Sequence, residues 1–197
     1  MMHRFCVSYP SNLLNRRNQD PAGLRKNWRK GLRGHGMTIT ALLHAGLGFR
    51  VLGQTGGPDK GDIIEVAGEE TWSVKTSTFS RPTLCEAQAW QPCDRYVWWQ
   101  DRYKQGVTCL GVATRVAFEA NRTLLAHGEF IESIGGRDFR VMYPSGLYVA
   151  DVSICQPISE VCYEIARRVG LGPVLQTSDP VGEWWREELC DTEEPTS

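Results

Sequence analysis

The chain lacks most of the features that announce a function. It has no Cys-x-x-Cys pair and no histidine at zinc-finger spacing. Its seven cysteines (Cys6, Cys85, Cys93, Cys109, Cys155, Cys162, Cys190) and four histidines are scattered, which argues against a structural zinc. No run approaches the roughly 20 apolar residues of a membrane span. Met1 to Pro10 contains Arg4 but no apolar core of a secretory signal. An odd cysteine count without such a signal leads to the expectation of reduced thiols in a cytoplasmic protein. Nucleophile elbow, P-loop, HExxH and dinucleotide fingerprint are missing, as are repeats, low-complexity tracts and an interdomain linker. The formal net charge is −1, so the whole-molecule charge gives no steering toward nucleic acid.

What remains is the composition of one globular domain. Its 197 residues need no second core, and 41% apolar with 23% charged residues lies inside the globular range.

The charge is unevenly distributed. Residues 1–36 carry Arg4, Arg16, Arg17, Arg25, Lys26, Arg29, Lys30 and Arg33 against one acid, Asp20. Residues 183–197 carry Glu183, Glu187, Glu188, Asp191, Glu193 and Glu194 against Arg186. The expected organisation is a basic N-terminal arm (1–36), an α/β domain (37–175) and an acidic Trp-containing tail (176–197). In the arm, Arg25, Lys26, Arg29, Lys30 and Arg33 are candidate phosphate contacts, with Trp28 available to stack on a base. A plain solvated face is the competing reading. Asn15, Asn18, Gly23, Gly31, Gly34 and Gly36 argue against one long helix, and Pro21 is placed to open a short one over Ala22 to Lys30. Trp184-Trp185 in the tail suggests docking, onto this domain or onto a protein partner.

The most informative stretch is 61–78, where two short strands flank a tight turn. Gly68-Glu69 reads as the turn. Centring it there sets Asp62 opposite Lys75, Ile64 opposite Ser73 and Val66 opposite Thr71. Side chains alternate along a strand, so Asp62, Ser73 and Lys75 then share a face while Glu65 takes the other. A one-residue slip would move Lys75 away from Asp62. Without further context the pair is a cross-strand ion pair, worth roughly 0.2–1 kcal/mol.

Context sharpens this. Thr38 to Leu47 reads as a short helix with Ile39, Leu42, Leu43 and Leu47 as its apolar stripe and Thr38 as its cap. Phe49 to Leu52 reads as a strand, and Gln54 to Gly61 as a polar turn. The order is helix, strand, Gly-rich loop, Asp-bearing strand, Lys-bearing strand. Ala45 to Leu52, Gly61-Asp62-Ile63-Ile64 and Ser73-Val74-Lys75-Thr76 together resemble the PD-(D/E)xK nuclease superfamily, the restriction-endonuclease-like and Holliday-junction-resolvase-like fold. The resemblance covers about residues 38–78. It implies a central mixed β-sheet flanked by helices and a Mg²⁺-dependent endodeoxyribonuclease, with Asp62, Ser73 and Lys75 as catalytic candidates. Asp62 is the metal ligand it implies, with Glu65 as a second candidate. The family's Glu position falls on Ser73, and residues 36–48 hold no acid. A second carboxylate must then come from elsewhere, with Glu69, Glu70 and Glu86 as candidates. Such a metal would polarise the scissile phosphate and activate water, with Lys75 orienting that water. The alternative is a non-catalytic nucleic-acid- or protein-binding accessory or inhibitor protein of phage or mobile-element type on a related scaffold.

Downstream, the pattern predicts helices over Thr83–Trp90, Ala117–His127 and Pro157–Arg168. The last shows Ile158, Val161, Cys162, Ile165 and Ala166 on one side and Gly170 beyond its end. Strands are expected at Tyr96–Trp99 and Val107–Val116, and a hairpin joins Phe139–Met142 to Leu147–Val152 around Pro144-Ser145-Gly146. Of Trp98 and Trp99, one should face the core and the other be exposed or covered by a neighbouring element. Asp151 is a further candidate acid without an assignable face.

Overall fold

In a computed structural model of the chain, residues 21–52, 63–85, 93–102 and 106–171 are described, with side chains from residue 30 onward. Helix α1 (Pro21–His44) leads into strand β1 (Phe49–Leu52), then β2 (Ile63–Val66) and β3 (Glu70–Ser77). Next come β4 (Thr83–Cys85), β5 (Arg95–Arg102), β6 (Gly106–Thr114), α2 (Arg115–Asn121) and β7 (Thr123–Leu125). The chain continues through β8 (Phe130–Ile134), β9 (Arg137–Arg140), β10 (Leu147–Val149), a 3-10 turn at Val152–Ile154 and α3 (Ile158–Arg168).

The architecture is a single α+β fold. Its main sheet has the order β1-β2-β3-β5-β6. β3 and β5 run parallel and every other neighbouring pair is antiparallel, so the sheet is mixed as expected. β4, β10 and β7 form a three-stranded sheet, and β8 and β9 a hairpin.

Alternation along the central strands builds two cores. Ile64, Val66, Trp72, Val74, Val97, Trp99 and Val112 face Leu42 of α1, Ala45 just beyond its end, and α3 (Val161, Cys162, Ile165, Ala166). On the other face Tyr96, Trp98 and Ala113 pack with Leu84, Phe118 and Ala150. Because both faces are covered, Trp98 and Trp99 are both buried, at 1% and 4% exposure, so of the two expected placements for the second tryptophan the structure takes the covered one.

The two short helices expected over 22–30 and 38–47 are one continuous helix, α1. Its glycines do not break it. Gly34 lies against β3, and a Cβ there would stand 2.1 Å from Thr76 Oγ1. Thr38 is no cap but an interior residue. Its hydroxyl donates to Gly34 O at 2.8 Å and accepts from Trp99 Nε1 at 2.8 Å, so its side chain joins helix to sheet.

Other expectations change for non-local reasons. Thr83–Cys85 is a strand, recruited by β10, and residues 86–90 lie outside the described set. The helix expected over 117–127 occupies Arg115–Asn121, capped by Thr114, and Thr123–Leu125 becomes β7. The Phe139 region pairs with β8, while β10 pairs with β4 and β7, so the expected 139–152 hairpin does not form. The C-terminal helix is where periodicity puts it, with Gly170 at φ 77 after its last turn. Among the described residues no helix is long and apolar enough to cross a membrane.

Candidate functional site

The β2–β3 hairpin pairs Ile63 with Ser73, Ile64 with Trp72, Glu65 with Thr71 and Val66 with Glu70. This is one residue away from the expected register. The loop has three residues, Ala67 to Glu69, with Ala67 at φ 53 and Gly68 at φ 71, and Glu69 N–H donates to Val66 O at 3.0 Å. Burial decides the slip. Ile64 and Val66 go to the α1 face together with Trp72 and Val74, all at 3% exposure or less.

The consequence is a different set of face-mates. Ser73 and Lys75 share their face with Glu65, Thr71 and Ile63, reversing the expected placement of Glu65. The pairing of Asp62 with Lys75 is not the register of this ladder, and Asp62 itself lies outside the described residues. Glu65 does not turn toward Lys75. It lies opposite Arg50 of β1, and its carboxylate accepts from Arg50 Nη2 at 2.7 Å.

Ser73 is fully buried and Lys75 is 5% exposed. In the parallel ladder Lys75 lies level with Trp98, on the face packed by Tyr96, Cys93 and Phe118. Burial pushes the Cys93 thiol up, against a hydrogen bond from Tyr96 and the positive charges of Lys75 and Arg115. Burial also raises the Tyr96 phenol well above its ordinary value. Elsewhere burial lifts Cys109 to about 11, which keeps that thiol protonated at neutral pH.

The other candidate acids are committed elsewhere. Glu70 accepts from Trp72 Nε1 at 2.7 Å and pairs with Arg95 Nε at 2.9 Å. Glu69 accepts from Arg168 Nε at 2.6 Å, tying the loop to the end of α3. Glu86 lies outside the described residues. Asp151 caps the 3-10 turn through Ser153 N–H at 2.8 Å. Sequence reasoning missed Glu132 of β8, 8% exposed, which accepts from Ser80 N–H at 3.0 Å just beyond β3. Nothing local marks it, since the contact spans 52 positions.

Among the described residues no three His, Cys, Asp or Glu side chains group as a metal site. The described part of the hairpin face offers a magnesium ion the Ser73 and Thr71 hydroxyls, the latter already donating to Asp94, and a Glu65 carboxylate already charge-paired with Arg50. That set does not make an octahedral oxygen shell, so no catalytic step is derived through the ion.

The basic segment is more informative. Positions 25, 26, 29, 30 and 33 all lie within α1, where a 3.6-residue period sets them along one side of the helix. The side chains of Arg25, Lys26, Trp28 and Arg29 are outside the described set. Lys30 is half-buried and makes interactions of its own. Arg33 turns to the sheet, where Nη2 lies 2.7 Å from Asp101 Oδ2.

Comparison with protein-family models, curated proteins and solved structures returns no significant match to this chain.

Proposed function

We propose that the protein binds nucleic acid through the basic side of α1, carried by an α+β scaffold of the PD-(D/E)xK type. The observation that carries this reading is the continuity of α1. The cationic positions 25–30 are no separate arm but the first turns of the helix whose later turns bury Thr38 and Leu42 against the sheet. A cationic helix fixed to a rigid body presents its charges in one register to a phosphate backbone.

The test is duplex-DNA binding by fluorescence anisotropy across a salt series. Affinity should fall steeply as salt rises, and glutamate at Arg25, Lys26, Arg29 and Lys30 together should abolish binding. Each lost phosphate contact should flatten the log–log salt slope by about one. No DNA retention by the wild type at low salt would remove this reading.

A second reading is metal-dependent phosphodiester hydrolysis at the hairpin. What favours it is Ser73 and Lys75 on one face of β3, within the order helix, antiparallel β1-β2-β3 and a strand parallel to β3. Bound magnesium would supply Lewis-acid activation of phosphate and water. Plasmid nicking with Mg²⁺ or Mn²⁺ separates the two readings: equal background cleavage by wild type, Asp62→Asn and Lys75→Met excludes hydrolysis while leaving binding intact.

A further inference from the structure

A groove of about 440 Å³ opens between the β1–β2 hairpin and the end of α3. Its apolar lining is Phe49, Ala67, Val169 and Leu171. The first three are half-buried core residues whose inner sides pack on the main core, and Leu171 is 39% exposed. Gly48 lines it without a side chain, and a Cβ there would meet nothing within 4 Å. Arg50 stands at its rim with a 69% exposed side chain.

We propose that this groove is the seat of the chain's own C-terminal segment, occupied by the Trp184-Trp185 pair. Three observations select this occupant. Leu171, the last described residue, is itself part of the lining, so the remaining chain starts at the groove. Trp184 follows Leu171 by thirteen positions, and a tether of that length holds its end at an effective concentration on the order of millimolar. The groove's volume suits an indole, the residue type that contributes most per side chain to an apolar seat. Charge is compatible: Glu183, Glu187 and Glu188 outnumber Arg186 beside the tryptophans, and the rim carries Arg50 paired with Glu65 at 2.7 Å, the Arg50 side chain 69% exposed. A partner protein would have to outcompete this tethered pair.

The test is ¹⁹F NMR of the full chain labelled with 5-fluorotryptophan, assigning Trp184 and Trp185 by their phenylalanine variants. At least one of the two resonances should show a suppressed H₂O-to-D₂O shift, unchanged over a hundredfold dilution. Leu171→Asp should restore the full solvent shift. Arg50→Glu, an exposed change that leaves the core intact, should restore part of it, with the Trp72, Trp98 and Trp99 resonances unmoved in both. Full solvent shifts for both tryptophans in the wild type would overturn the proposal. So would protection that disappears on dilution, which indicates a second copy as host, or protection indifferent to both groove variants, which indicates another seat.

Discussion

Arg33 of α1 and Asp101 of β5 meet at 2.7 Å, and the Asp101 side chain is only 1% exposed. The pair ties the helix to the C-terminal end of β5. Removing one partner of a pair buried this deeply leaves the other charge uncompensated and costs about 3–5 kcal/mol. Arg33→Met should therefore lower thermal stability strongly. The double variant Arg33→Met/Asp101→Asn should recover most of the loss, because no uncompensated charge is left. Thermal unfolding of the three proteins checks this, and a double variant as unstable as the single would show that packing, not charge, sets the cost.

Gly34 and Thr76 provide a second test of how α1 sits on the sheet. Alanine is normally the better helix residue, by about 1 kcal/mol. At Gly34 the added methyl would stand 2.1 Å from Thr76 Oγ1, so Gly34→Ala should destabilise by about 1–3 kcal/mol instead. Gly31 has nothing within 4 Å of the same methyl, so Gly31→Ala should stabilise by up to about 1 kcal/mol. Thr76→Ala should relieve the Gly34→Ala penalty in the double variant. Denaturant unfolding midpoints would show whether the two glycines respond with opposite signs.

These contacts show why part of the molecule was readable in sequence and part was not. The Lys75 strand and the α3 helix follow from local periodicity, which the chain carries in Trp72-Ser73-Val74-Lys75 and in the Ile158-to-Ala166 stripe, while the mixed sheet was expected only from the resemblance. The continuity of α1 was not legible, because Gly34 and Gly36 look like helix breakers until Thr76 supplies the reason for a missing side chain. The hairpin register was lost by one residue because Gly68-Glu69 is a good two-residue turn. Only the burial of Ile64 and Val66 against α1 shows that Ala67 joins the loop. The role of Glu132 and the partners of β10 were invisible for the same reason as most long-range contacts: their neighbours in space lie far off in sequence. Asp62, Glu86 and the tail tryptophans lie outside the described residues.

Asp94 and Thr71 give a pH prediction. The Asp94 carboxylate accepts from Thr71 N–H and from Thr71 Oγ1, both at 2.7 Å, and clips the start of β5 to β3. These hydrogen bonds, the backbone one first, hold its pKa below the ordinary carboxylate value. A depressed folded-state pKa contributes stability that is present above the unfolded value, near 4, and is lost as pH falls through the folded value. Wild type should thus lose stability relative to Asp94→Asn as pH drops from about 5 toward 3, and the gap between them should close there. The site is exposed, so the difference at neutral pH should be small, about 1 kcal/mol. Melting temperatures of both proteins across that range measure it, and a gap that is constant with pH would assign the clip no charge dependence.

Ala67 makes the hairpin loop itself testable. It is the one described non-glycine residue with positive φ, at 53°, and its N–H donates to Gly48 O at 2.7 Å. An L-residue in this region carries a local cost of roughly 1–2 kcal/mol that glycine escapes, while glycine adds unfolded-chain entropy worth about half of that. The net for Ala67→Gly is a gain of up to about 1 kcal/mol, with the Gly48 contact and the three-residue loop retained. Ala67→Val should lose more than 1 kcal/mol, since a β-branched side chain tolerates positive φ least. If the hairpin instead held the two-residue turn at Gly68-Glu69, Ala67 would be an ordinary strand residue. Valine would then be the stabilising change and glycine the harmful one, so the order of the two variants in a chemical unfolding series decides the register on which the placement of Ser73, Lys75 and Glu65 depends.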